Sequence, residues 1–325
     1  MNLRELKPRR LRTGQRFTFY GPESVGKSSL AAYAPKPVFI DVEDGTGNLE
    51  VVRYPFRDGP LGHVPPNYTA VLDAVRAIAT EPHDFETLVI DTLDRLEALI
   101  WAHILDRDSG RQGALNKSGK RIESIESYGY GKGYILALDV WRDLCRALDE
   151  LRLKRTMNVV LLGHAAIRTF KNPEGEDYDR YHLRINDKAA GFIKEWSDVV
   201  GFCTFEEGGA KLDADQPRAK GYSTGRRLIK LSRTAAYDAK SRIPLPDEVE
   251  LAAANPWAPL ADAVRVGLDV DPEHLHAAIE AELERINDDA LSNRVVVAMS
   301  RAGDDVGTLA RYLNTLKNKP EVNHV

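Results

Sequence analysis

The stretch GPESVGKSS at 21–29 constrains this chain more than any other feature. It completes the pattern G-x-x-x-x-G-K-[ST], and it lies between the apolar run RFTFY at 16–20 and the helix-forming LAAYA at 30–34. Strand, glycine-rich turn and helix together make a phosphate cradle: the turn aims backbone N–H groups at an anion, and the helix N-terminus adds its dipole. Gly21, Pro22, Glu23, Ser24, Val25, Gly26, Lys27, Ser28 and Ser29 are the expected nucleotide-binding residues. Lys27 reaches the β- and γ-phosphates and Ser28 ligates magnesium, so ATP and Mg²⁺ are the expected cofactors.

Such a loop needs partners at the carboxyl ends of neighbouring strands, where ligands of open α/β sheets bind. PVFIDV at 37–42, TLVID at 87–91 and MNVVLLG at 157–163 read as buried strands. Helical spacing separates them at 67–80, 92–105 and about 135–153. Alternating strands and helices predict an α/β fold, a mostly parallel sheet flanked by helices. Asp91 ends its strand and is the expected second magnesium ligand beside Ser28, or the N-cap of the helix that follows. Asp41, Glu43 and Asp44 follow the second strand, and Glu43 is the expected water-orienting carboxylate. His164 follows the fourth strand, either as a phosphate sensor or as a structural histidine.

Composition narrows the class. The chain has 325 residues, 43% hydrophobic and 29% charged, enough for a sizeable core and against disorder. No apolar run approaches the roughly 20 residues of a membrane span, and MNLRELKPRRLR at the start lacks the apolar centre of a signal peptide. Two cysteines, Cys145 and Cys203, build neither a disulfide framework nor a zinc site. A soluble intracellular protein is expected. Overall net charge is −4, but residues 256–325 carry 7 basic and 12 acidic residues. The division expected is a basic tail at 1–13, an ATPase core at 14–254 and an acidic helical domain at 255–325, with NPWAP at 255–259 breaking the pattern.

The segment 107–134 is glycine-rich and carries a net +3. Lys117, Lys120, Arg121 and Lys132 suit a phosphate backbone, and Tyr128 and Tyr130 suit stacking on bases. The segment 168–188 reads as a second polar loop, with Arg168 and Lys171 as further candidates. A mobile surface loop of mixed charge is the plainer reading of both.

At this point the sequence resembles RecA-type recombinases. GPESVGKSSL is similar to their phosphate loop, FIDVE at 39–43 to the strand ending in their catalytic glutamate, and LVID at 88–91 to their Walker B strand. SIESYGYGKGYILALDVWRDLCRAL at 124–148 resembles their first DNA-binding loop and the helix after it. VVLLGH at 159–164 matches their sensor strand, with His164 where the bacterial recombinases have glutamine. AYDAKSRIPLP at 236–246 resembles the segment whose two cations reach the neighbouring subunit's ATP, here Lys240 and Arg242. The best overall likeness is to phage-encoded, RecA-core ATP-binding proteins of recombination and single-strand annealing, over about residues 14–252. With the phosphate loop beginning at Gly21, the large N-terminal oligomerisation domain of the strand-exchange recombinases is not expected here.

The resemblance implies a RecA-like P-loop NTPase core with a small C-terminal helical domain, in the cytoplasm, of the bacterial host if phage-encoded. It implies a DNA-stimulated, magnesium-dependent ATPase that binds single-stranded DNA, hydrolyses ATP at subunit interfaces of a homo-oligomeric ring or short filament, and meets a single-strand-binding or other recombination protein. The competing readings are a ring helicase or helicase loader, and a nucleotide-gated switch that binds a protein through the acidic helices.

Overall fold

The computed structural model describes residues 13–109, 115, 119, 121–210, 220–243, 245–251, 254–262, 272–303, 306–317 and 319. The chain forms two compact units, one of residues 14–241 and 247–257, the other of 1–13, 242–246 and 258–325.

The first unit is built on a ten-stranded sheet. Its central strand is β1 (Arg16–Gly21), flanked in parallel by β5 (Asn158–Phe170) and β7 (Val199–Ala210). Beyond β5 come β4 (Thr87–Asp91), β2 (Pro37–Asp41) and β3 (Val52–Arg53), all parallel. Beyond β7 the sheet turns antiparallel through β8 (Lys220–Lys230) and β10 (Glu248–Glu250). β6 (Tyr178–Leu183) pairs antiparallel with the outer half of β5, and β9 (Lys240–Ser241) with the start of β7. Strand β5 therefore lies between the phosphate-loop strand and the strand that ends in Asp91. This is the arrangement of a RecA-like P-loop NTPase core.

Both sheet faces are buried. Val38, Ile40, Leu88, Ile90, Val159 and Leu161 join one core with helices α2 (Tyr68–Thr80), α3 (Leu93–Ser109) and α4 (Lys132–Arg155). The alternate residues Phe17, Phe19, Phe39, Val89 and Val160 are equally buried, as a period of two requires. This is why the strands read as continuous apolar runs. Trp257 packs edge-on against Phe17 and Phe19, with ring centres 5.2 and 6.2 Å away. The division between the two units, after Trp257, falls inside NPWAP.

Local signals explain the helix ends. Asn67 accepts from the Ala70 N–H at 2.9 Å and starts α2. Helix α1 (Lys27–Ala32) starts at Gly26. Helix α5 (Asp187–Trp196) starts at Asn186, whose side chain accepts from Lys188 N–H.

The expected polar loop at 168–188 is instead mostly a hairpin of β5 and β6 leading into α5. The cause is Arg180, which occupies the inward position of β6 and is buried. It pairs with Asp238, donates to the Thr234 and Tyr237 carbonyls, and lies over the Phe170 ring. An arginine in a core position hides the alternation by which a strand is recognised.

In the second unit, α6 (Pro272–Ile286), α7 (Asp289–Ala302) and α8 (Val306–Lys317) share a core of Leu275, Ile279, Leu283, Met299, Leu309 and Leu313. Among the described residues no helix is long and apolar enough to cross a membrane.

Candidate nucleotide-binding site

Parallel register carries the strand ends to one rim: Gly21 pairs with His164, and Asp41 with Asp91. A cavity of about 490 Å³ opens there, lined among others by Lys27, Ser28, Glu43, Asp91, His164 and Arg227. A larger one, about 570 Å³ between α2, α3 and α4, contains none of these side chains.

The phosphate loop supplies the floor. Lys27 Nζ donates to the Gly21 and Pro22 carbonyls at 3.1 and 2.7 Å. Burial lowers the ammonium below its ordinary pKa, opposed by nearby acidic groups. Val25 is buried, Glu23, Ser24 and Ser29 are exposed, and Ser24 has φ 59°.

Ser28 Oγ donates to Asp91 Oδ2 at 2.6 Å. Burial pushes the Asp91 carboxyl up to about 6, helped by the charges of Asp41 and Glu43 and opposed by the Ser28 hydrogen bond. A hydroxyl and a carboxylate oxygen side by side in the wall of a charged cavity are hard oxygen donors, the set that suits Mg²⁺. Ser28 and Asp91 are the residues that would hold it, and the ion would neutralise phosphate charge there.

The three carboxylates at the end of β2 and just beyond it separate into distinct tasks. Asp41 is fully buried and accepts from the Gly45 and Thr46 backbone N–H groups and the Thr46 hydroxyl, shaping the turn. Asp44 bonds His63 on the exposed side. Glu43 lines the cavity and accepts from the Thr92 hydroxyl at 2.6 Å. Thr92, next to Asp91, aims the carboxylate.

His164 is held by Asp94. Its backbone N–H donates to Asp94 Oδ2 at 2.9 Å, and Nδ1 lies 3.2 Å from the same oxygen. Burial disfavours the Asp94 charge, but hydrogen bonds from His164 and Arg184 outweigh it and hold the carboxyl below the ordinary range. With Nδ1 engaged, Nε2 is left for a ligand. Arg184 bonds Asp94 at 2.8 Å and pairs with Glu23 at 3.4 Å.

The residues that motif reading missed are Thr92, Asp94 and Arg227. Asp94 sits in the first turn of α3, where an acid is ordinary. Arg227 lies some 200 positions along the chain from the loop it approaches, and no local pattern marks it.

The profile of a family described as an AAA domain matches residues 13–243. The chain belongs to the AAA domain family. That membership and the phosphate loop make this AAA domain a nucleotide-binding ATPase of the P-loop class. Among solved structures, a crystal structure of the RadB recombinase is similar, with 11% identity, a TM-score of 0.34, and coverage of 68% of this chain and 81% of that chain. No curated protein matches.

The two cations expected from the 236–246 segment are placed as follows within the chain. Lys240 Nζ donates to the carbonyls of Lys194, Glu195 and Ser197 at 3.0, 2.9 and 2.8 Å, capping the C-terminal end of α5. Arg242 belongs to the C-terminal unit.

The nucleic-acid candidates also divide. Lys117 and Lys120 lie outside the described residues. Arg121 and Lys132 are exposed. Tyr128 packs partly against the core and donates to Asp108 at 2.6 Å, whereas Tyr130 is 100% exposed. Tyr130 has φ 48° and sits between Gly129 and Gly131 at 72° and 69°, a left-handed arch that only glycines make cheap. In the β5–β6 hairpin, Arg168 bonds Asp187 and the Ile185 carbonyl, and Lys171 pairs with Asp177. Both cations there are already matched by acids.

Proposed function

We propose that this protein is a magnesium-dependent ATPase that binds single-stranded DNA and uses its nucleotide state to load and release the strand during annealing or recombination. The observation that carries the nucleotide half is the meeting of Ser28 with Asp91, and of Glu43 with Thr92, in one cavity beside Lys27. Lys27 binds the phosphates. Glu43 orients and deprotonates the attacking water. Held by Asp94, His164 responds to the γ-phosphate through Nε2.

The DNA half is supported by the 121–132 surface. Tyr130 offers an open ring for stacking, and Arg121 and Lys132 of the same segment are exposed cations. The hairpin cations Arg168 and Lys171 are secondary, because a strand would have to displace their acidic partners.

An ATPase assay with and without single-stranded DNA, paired with DNA titrations at several salt concentrations, tests the reading. Turnover should rise with DNA, and affinity should fall steeply with salt as counterions are released. DNA-independent turnover together with no measurable strand binding would overturn the DNA half and leave a nucleotide-gated protein switch.

A further inference from the structure

The cavity has a cation that neither the phosphate loop nor the 236–246 segment supplies. Arg226 and Arg227 are neighbours on β8, so their side chains leave opposite faces. Arg226 turns to Glu206 and Glu250, 3.1 and 3.5 Å away. Arg227 turns to the phosphate loop. Its Nη1 lies 3.3 Å from where a Cβ on residue 26 would stand, and its side chain lines the cavity with Lys27, Ser28 and Asp91. Among the described residues no hydrogen bond or ion pair holds the Arg227 guanidinium.

The backbone around Arg227 is firmly placed. Residue 227 pairs with Phe205 on β7, and its carbonyl accepts from Leu251 N–H at 2.7 Å. The β7–β8 register shifts between Phe205 and Glu207, directly across from it. Bulges of this kind re-aim side chains near functional sites.

Charge balance gives this placement a purpose. A polyphosphate entering the cavity meets the carboxylates Glu43 and Asp91 and one loop cation, Lys27, whose ammonium already serves two backbone carbonyls. A guanidinium keeps its charge in any such setting, and its planar fork suits phosphate oxygens.

We infer that Arg227 is a polyphosphate-binding cation supplied in cis by the β7–β8 hairpin, reaching the bound nucleotide from beside Gly26. This rests on the nucleotide-site reading above and adds a residue to it.

The test is titration of the full-length protein with fluorescent ATP and ADP analogues in the presence of magnesium. Arg227→Met keeps the aliphatic stem and removes the charge; Arg227→Lys restores a cation without the fork. The methionine variant should bind both nucleotides about ten- to a hundredfold more weakly, the magnitude of one charge-assisted hydrogen bond or two, and lysine should recover part of it. Thermal unfolding should be unchanged, since no protein partner is lost, and Arg227→Gln carries the same test if methionine impairs folding. Wild-type affinity for both analogues in the uncharged variants, within about twofold, would overturn the assignment. Lys27→Ala is run beside them: if it too binds like wild type, the nucleotide-site reading itself fails, independently of Arg227.

Discussion

Glu43 and Tyr130 show how much a single neighbour decides at the residue scale. Of the three carboxylates at and just beyond the end of β2, only Glu43 combines a cavity position with an aiming hydroxyl, from Thr92. Glu43→Gln should retain ATP binding, since the amide keeps size and hydrogen bonding, while kcat falls by about 10²–10⁴ because the water loses its base. Single-turnover hydrolysis checks this, and near-normal turnover would remove Glu43 from the role. Tyr128 and Tyr130 are equivalent in the sequence but not in space. Tyr130→Ala should weaken single-strand binding by roughly 1–3 kcal/mol, the worth of one stacked base. Tyr128→Phe should leave DNA affinity alone and lower stability by roughly 1 kcal/mol through its lost bond to Asp108. Fluorescence anisotropy and thermal unfolding separate the two effects, and the reverse pattern would exchange their roles.

At the scale of elements, helix α3 meets the start of α5 through a buried acid. Both Glu97 oxygens accept from the Asn186 N–H at 3.0 Å. Burial pushes its carboxyl up to about 7, and that hydrogen bond only partly opposes the rise. A carboxyl whose folded pKa lies above its unfolded value of 4.5 binds its proton more tightly in the native state. Its contribution to stability is therefore greatest at low pH and is lost as pH rises from about 4.5 to about 7. Glu97→Gln should remove this slope and stabilise the protein above pH 7 by roughly 3–4 kcal/mol, because raising a pKa by one costs the ionised form about 1.4 kcal/mol. Denaturant midpoints at pH 5 and 8 measure it; identical slopes in wild type and variant would contradict the assignment. Lys240 belongs at this scale too. Lys240→Ala should cost about 1–3 kcal/mol by leaving the carbonyl end of α5 uncapped.

Across the whole molecule, one chain holds the phosphate loop, Asp91, Glu43, His164 and Arg227 on a single rim. Nucleotide affinity should therefore be the same at protein concentrations about a hundredfold apart, whatever assembly forms. Equilibrium titration at both concentrations checks this, and affinity rising with concentration would move an essential binding group to a neighbouring subunit. The phosphate loop, the strand ending in Asp91 and the α/β alternation were legible in the sequence because each is local: contiguous residues with a period or motif set by backbone geometry. Glu43 was legible from its place after the second strand, and the family resemblance added His164 as a member of an ordered series. What tertiary structure alone decided is pairwise and distant. Asp94 behind His164, Thr92 on Glu43, Lys240 on the end of α5 and Arg227 over Gly26 join residues whose proximity comes from sheet order and register. The β6 strand escaped for the same reason. Its inward residue is Arg180, tolerable there only because Asp238 and two carbonyls from a remote segment compensate a buried charge. A sequence displays periodicity, whereas compensation between distant charges exists only once the chain has folded.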